Sequence, residues 1–228
     1  MHPKAGRAWV VVLVLVAVIA ATGYAAYAGN SVYQGLDSGK QELVAAQATI
    51  KVAGRSGDTA QLRSADAQLK QAERDFTDAE QRARHDLALR LAGGLPGTGP
   101  QLDASAHLAA IGADLSRAGQ GAAAVAIQVS TLKEQYAGRR LTADDLQALL
   151  KQAQTIADTY QGSIRTIREQ LKAAHAERAQ VTTTDLLPQL HHAYDAVDEA
   201  LTDADTAFLR YQDVRGALSD LLGTPLPT

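Results

Sequence analysis

Histidine and carboxylate side chains that could bind a metal ion come closest together in the C-terminal third of the chain. His191, His192, Asp195 and Glu199 lie there, and positions 192, 195 and 199 share one face of a helix. One helix alone seldom supplies a complete ligand set, and the Glu-x-x-His pairs of di-iron helical bundles do not occur in the sequence. We therefore predict a solvated polar face, with no metal and no cofactor.

Motifs for other kinds of catalysis are missing as well. The acidic run between positions 195 and 205 lacks the Gly-centred spacing of a calcium-binding loop. Neither HExxH nor GxSxG occurs, and no Gly-rich phosphate loop opens a helix. His85, His107 and His175 are isolated in the sequence and are expected to have no partners. We therefore predict that the chain is not an enzyme; an envelope enzyme would be recognised by a deep pocket with converging polar groups.

The stretch from Leu95 to Gly99 matches the Leu-Pro-x-Thr-Gly pattern that sortases cleave. A sorting signal also needs an apolar span and a basic tail just downstream. Long amphipathic segments follow here instead. We interpret residues 93–100 as a linker whose Gly and Pro residues exclude a helix.

An uncharged stretch between positions 8 and 28, AWVVVLVLVAVIAATGYAAYA, is the strongest signal in the sequence. As a helix it is long enough to cross a hydrocarbon layer of about 30 Å. Lys4 and Arg7 precede it, whereas the first basic residue after it is Lys40, so the positive-inside rule predicts a cytoplasmic N-terminus. The predicted organisation is a cytoplasmic segment 1–7, a single transmembrane helix 8–28 in the cell membrane, and an extracytoplasmic part 29–228.

Aromatic residues flank this stretch, with Trp9 at one end and Tyr24 and Tyr27 at the other. Together with Lys4 and Arg7 they are the predicted membrane-interface residues, and the lipid bilayer is the first predicted partner. A cleaved signal peptide is the alternative, because Ala26-Tyr27-Ala28 before Gly29 has the small-x-small form of a cleavage site. Both alternatives export the rest of the chain.

Composition favours an all-α fold. Hydrophobic residues make up 46% of the chain but aromatic residues only 4%, and Ala is abundant, as in closely packed helices. The net charge of −3 and the lack of a basic block argue against nucleic-acid binding. The chain has no cysteine, which excludes disulfides and thiolate metal sites.

Beyond Gly29 the apolar residues recur at helical spacing in five stretches separated by clusters of Gly, Pro and Thr. The stripe of the second stretch is Leu62, Ala65, Leu69, Ala72, Phe76, Ala79 and Ala83. The stripe of the third includes Leu108, Ile111, Leu115, Ala118, Ala122, Val125 and Val129. Gly119 and Gly121 weaken this third helix, and close approach of a neighbouring helix could compensate.

Short connections make successive helices antiparallel neighbours, so we predict an elongated bundle or coiled coil of about five helices. The first exported helix leads away from the membrane, the second returns, and the last ends at the distal side. The second helix would overshoot the first, but the charge at Asp86 breaks its stripe. We hypothesise that Leu87 to Leu91 rests on the lipid surface; a frayed helix end is the alternative.

Several features in their order along the chain carry a family resemblance. They are the basic start, the single apolar span, the long Ala- and Leu-rich helices, the break at Leu95 to Gly99, and Leu221-Leu222-Gly223. This order resembles the N-terminal part of family 4012 of the bacterial domains of unknown function. Members of that family continue into a larger mixed domain, whereas this chain stops within five residues of Gly223. The resemblance therefore implies a stalk without its head, and no activity.

From these features we expect a stalk or scaffold in the bacterial cell envelope. It would present helical surfaces to another envelope protein or to a second copy of itself. The alternative is a ligand-sensing helical bundle that acts through a partner membrane protein, because no second apolar span exists to carry a signal back.

Overall fold

The computed structural model describes residues 5–94, 97–136 and 143–222, and within them the side chains of 29–53, 56–91, 93–94, 97–131, 134–135 and 161–209. These ranges contain helices and no strand, which confirms the predicted all-α class. The helices are α1 Ala5–Ser56, α2 Thr59–His85, α3 Leu87–Gly93, α4 Gly99–Tyr136, α5 Ala143–Arg178 and α6 Pro188–Leu222.

Helix α1 is continuous over 52 residues, so the predicted span and the first exported helix form one rod. It ends at Gly57, whose positive φ of 77° lets its N–H donate to the Ala53 carbonyl at 2.7 Å. Lys4 and the side chains of Arg7, Trp9, Tyr24 and Tyr27 lie outside the described parts of the chain. Among the described residues, no helix has an apolar stretch long enough to cross a membrane.

Helix α2 confirms the predicted stripe completely. Its buried residues are Leu62, Ala65, Leu69, Ala72, Phe76, Ala79 and Ala83. Asp58 caps its start, accepting hydrogen bonds from the backbone N–H groups of Ala60 and Gln61 at 3.0 Å. On the outer face, Lys70 pairs with Asp66 at 2.6 Å, one turn apart as the sequence indicates.

The predicted break at Asp86 is confirmed. Asp86 has an extended backbone, and its carboxylate accepts from the N–H groups of Ala88 and Leu89 at the start of α3. Helix α3 packs against α1, α2 and α4. Leu89 is only 3% exposed in this packing, whereas Leu87 and Leu91 are 73% and 72% exposed. Any lipid contact of α3 is therefore made by Leu87 and Leu91, not by Leu89.

Helix α4 lies at the centre of the bundle, in contact with every other helix. Residues 108–116 are buried without interruption, so this part of α4 has no solvent face. The predicted stripe describes the helix only as far as Ala118. Beyond it Ala123 and Ser130 are buried, whereas Ala122 is exposed and Val129 is 52% exposed.

Phe76 of α2 is wedged between glycines of two other helices. A Cβ at Gly39 of α1 would lie 2.9 Å from its ring, and a Cβ at Gly112 of α4 would lie 2.6 Å from it. The same close approach recurs at Gly119, where a Cβ would lie 2.9 Å from Leu69 Cδ2, and at Gly121, 3.1 Å from Ile167 Cγ1. The compensation predicted for the glycines of α4 is thus confirmed.

Helices α5 and α6 complete the bundle as an antiparallel pair beside α4. The Thr cluster at residues 182–184 separates them as such clusters predict: α5 ends at Arg178, and α6 begins at Pro188, where no helical hydrogen bond needs the missing N–H. Gln101 of α4 fixes the connection, donating to the Asp185 carbonyl at 2.6 Å and accepting from the Leu187 N–H at 2.9 Å. The side chain of Leu187 is exposed.

Candidate functional site

A cavity with a volume of about 370 Å³ lies along α4. Its floor is supplied by α4 through Leu115, Ala118, Gly119, Ala122 and Val125. Leu69 of α2 closes the floor by lying across Gly119, which has no side chain to displace it. Ala122 of the predicted α4 stripe is therefore exposed because it lines this cavity, whereas the exposed Val129 lies outside the lining.

Two separate walls face each other across this floor. Leu43, Gln47 and Ile50 of α1 form one wall. The other is formed by Ile164, Ile167 and Leu171 of α5 together with Ala200, Asp203, Ala204, Ala207 and Phe208 of α6. Among the described residues, no Cα atom of α1 lies within 8 Å of a Cα atom of α6, so the backbones of the two walls stand apart on either side of the cavity.

Polar groups are sparse around the cavity. Of the described residues that line it, only Gln47 and Asp203 are polar, and both are exposed, as is Ala207 beside them. The interior is made of aliphatic side chains and one aromatic ring. Such an interior holds apolar molecules, and Asp203 at the edge is the only titratable group in the described lining.

A polar network occupies a different seam, where α2 meets α4. Arg117 donates to Glu73 Oε1 at 2.8 Å and to Asp114 Oδ1 at 2.9 Å, and Gln120 donates to Glu73 Oε2 at 2.7 Å. Burial alone would raise the pKa of Glu73, but the hydrogen bonds from Gln120 and Arg117 outweigh it and lower the pKa below its ordinary value.

Asp114 is the most unusual carboxyl group of this network. Burial raises its pKa from the ordinary 3.8 to about 6; Arg117 opposes the change, and the charges of Glu177 and Glu80 add to it. Because the folded pKa exceeds the unfolded one, the contribution of Asp114 to stability is greatest below pH 3.8. It is lost as the pH rises through about 6.

A separate group of ion pairs joins α2 and α4 to α5 through Glu177. His107 Nδ1 lies 2.5 Å from Glu177 Oε2, and Arg84 Nη2 lies 3.3 Å from the same oxygen. His175 of α5 pairs with Asp205 of α6 at 2.8 Å. The expectation that His107 and His175 have no partners is therefore wrong. Their partners are distant in sequence, by 70 and 30 positions, and no local pattern announces them.

The residues with metal-ligand character behave as an exposed helix face. His191 Nδ1 lies 3.3 Å from Asp195 Oδ2, one turn away, and both side chains are more than half exposed. The described residues contain no group of three or more potential ligands placed to hold a metal ion. The predicted membrane-interface residues, from Lys4 to Tyr27, lie outside the described side chains.

The chain matches no family model, no curated protein and no solved structure. The resemblance to family 4012 therefore stays a prediction, and the function has to be argued from the residues.

Proposed function

We propose that the chain is a membrane-anchored, extracytoplasmic helical stalk that acts by binding other envelope components rather than by chemistry. Residues 8–28 would be its single transmembrane helix, and the bundle formed by the rest of the chain would stand on the outer face of the membrane. The observation that carries this proposal is the position along α1 at which the neighbouring helix α2 ends.

That position follows from the antiparallel pairing of α1 with α2. A Cβ at Gly35 would lie 3.0 Å from Ala79 Cβ, so these two residues are at the same height. His85 comes six residues after Ala79 and Gly29 comes six residues before Gly35, and the rise per residue is the same in both helices. Helix α2 therefore ends level with Gly29, the first residue after the uncharged stretch. Had α2 continued, it would have entered the predicted hydrocarbon layer.

The composition of this end of the bundle agrees with a lipid surface. Four exposed apolar side chains lie at this end of the bundle: Leu87 and Leu91 of α3, Leu187 before α6 and Tyr33 of α1. Leu87, Leu91 and Tyr33 belong to the segments where α1 and α3 pack together, and Leu187 is bonded to the first turn of α4. Arg82 and Arg90 lie in or next to the same turns and suit anionic headgroups. A group of leucines exposed to water would promote aggregation, whereas a lipid surface would cover it.

Exposed apolar residues of the opposite half are the candidates for protein contacts. Val44 and Val52 of α1, Val129 of α4 and Leu209 of α6 are exposed there. A second copy of the chain or another envelope protein could cover them, as the scaffold function requires.

Site-specific photocrosslinking in intact cells tests this function. A photoreactive amino acid is placed at Val44, Val52 or Val129, with Gln61 as the control because it is exposed and polar on α2. We expect one discrete product from the apolar positions, either at twice the chain mass or with one envelope protein, and none from Gln61. Membrane-bound chain that gives no product at any of the three valines would contradict the scaffold function.

A further inference from the structure

The volume of the cavity along α4 defines the size of molecule that it can hold. An engineered apolar cavity of about 150 Å³ binds the six carbons of benzene, which is about 25 Å³ for each carbon. By that ratio the 370 Å³ between α1, α4 and α6 accommodates about fifteen carbon atoms. This is the size of one medium-length hydrocarbon chain, and too small for a whole helix of about 10 Å diameter.

The direction of the cavity fits an elongated molecule. Its lining extends over three turns of α4, from Leu115 to Val125, and over two turns of α1, from Leu43 to Ile50. These helices run along the bundle axis, so the free space is long rather than round. An unbranched chain fills such a space with few voids, whereas a compact ring system does not.

The polar residues at the opening limit the end group of the ligand. Among the described residues that line the cavity, Asp203 is the only charged one, and it lies with Gln47 at the exposed rim. A carboxylate held there would be repelled by Asp203, whereas an amine or a hydroxyl group could bond to Asp203 and Gln47.

We propose that this cavity is a binding site for a single unbranched hydrocarbon chain with a neutral or cationic end group. The hydrocarbon chain of the ligand lies on the α4 floor, and its end group projects between α1 and α6 beside Asp203. This inference goes beyond the stalk function and does not depend on it. It would make the protein a binder of amphiphiles, in line with the ligand-sensing alternative.

Photolabelling with a single probe tests the site. The probe is dodecylamine with a diazirine at the end of its chain, added to the full-length protein in phosphatidylcholine nanodiscs. Labelled peptides are then identified by mass spectrometry. We expect labelling at residues 115–125 of α4 and 200–208 of α6, reduced by excess dodecanol and much less by dodecanoate.

Two alanine replacements make the test specific. Ala122 lines the cavity but is exposed, so Ala122→Phe fills the space without displacing packed neighbours; Ala48 of α1 is also exposed but lies outside the cavity. Ala122→Phe should lower the labelling of α4 and α6 at least tenfold, and Ala48→Phe should leave it unchanged. In a third variant, Asp203→Asn, dodecanoate should compete as well as dodecanol.

The outcomes separate this inference from the stalk proposal. Labelling that is spread evenly over exposed surfaces, or that Ala122→Phe does not reduce, would overturn the cavity site. Labelling of residues 8–28 by probe dissolved in the bilayer reports on the anchor independently. If residues 8–28 are labelled and the cavity is not, the ligand site is wrong and the stalk proposal stands. If the cavity is labelled and residues 8–28 are not, the ligand site stands and the anchor of the stalk proposal is wrong.

Discussion

Substitution of Gly112 by Ala measures how tightly the three helices around Phe76 are packed. In most helix interiors this change stabilises a protein by about 1 kcal/mol, because Ala has the higher helix propensity. Here the new Cβ would lie 2.6 Å from Phe76 Cε1 and 2.7 Å from Cδ1. The backbone of Gly39 limits the retreat of the ring toward α1, because the ring lies only 2.9 Å from the position that a Cβ of Gly39 would occupy.

Overpacking of this kind costs about 1–3 kcal/mol, and more when no neighbour can move. After the gain in helix propensity, we expect Gly112→Ala to destabilise the full-length chain by up to about 2 kcal/mol. For a protein of this size that corresponds to a fall in Tm of up to about 8 °C. Thermal unfolding followed by circular dichroism at 222 nm in detergent micelles measures it.

Gly162 of α5 provides the matched control. It is helical and exposed, and a Cβ there would meet nothing within 4 Å. Gly162→Ala should therefore raise Tm by about 2–4 °C. In addition, Phe76→Leu should reduce the cost of Gly112→Ala, because the smaller side chain makes room. If Gly112→Ala stabilises the protein as much as Gly162→Ala does, Phe76 is not wedged between α1 and α4 and the packing described here is wrong.

Three further predictions concern the buried carboxyl group, a helix cap and the exposed leucines of α3. Asp114→Asn should stabilise the protein at pH 7.5 by up to about 3 kcal/mol, which corresponds to the difference between a pKa of 3.8 and one of about 6. Urea titrations should show that this gain disappears near pH 4, because Asp114 is then protonated in the folded protein. A gain that does not change with pH would refute burial of the Asp114 charge as its cause. Asp58→Ala should cost about 1 kcal/mol in the same titrations because α2 loses its cap, and no loss would show that the cap is dispensable. A polarity-sensitive fluorophore at Leu87 or Leu91 should shift to the blue when anionic vesicles are added, and an unchanged spectrum would exclude lipid contact by α3.

The parts of the fold that the sequence predicts are those whose pattern is local. Helix α2 has one buried face, so its seven-residue stripe and its break at Asp86 could both be identified before the structure. The glycines of α4 likewise predict close approach, since only a neighbour can compensate for their low helix propensity.

What the sequence could not predict depends on how the helices are arranged. Residues 108–116 of the central helix α4 are buried on every side, so the apolar stripe does not reveal which face a neighbour covers and which face lines a cavity. The cavity lies between α1 and α6, whose described Cα atoms stay more than 8 Å apart, and no residue of either helix indicates that separation. The pairing of His107 with Glu177 likewise joins residues 70 positions apart.

Labelling of introduced cysteines in intact cells tests the proposed topology most directly, because the chain has no cysteine of its own. Val52 lies exposed near the distal end of α1, and His2 precedes the uncharged stretch. A membrane-impermeant maleimide should label the Val52→Cys chain in intact cells and the His2→Cys chain only after permeabilisation, with both chains in the membrane fraction. Labelling in the opposite order, or recovery of both chains in the soluble fraction, would contradict a bundle anchored outside the membrane.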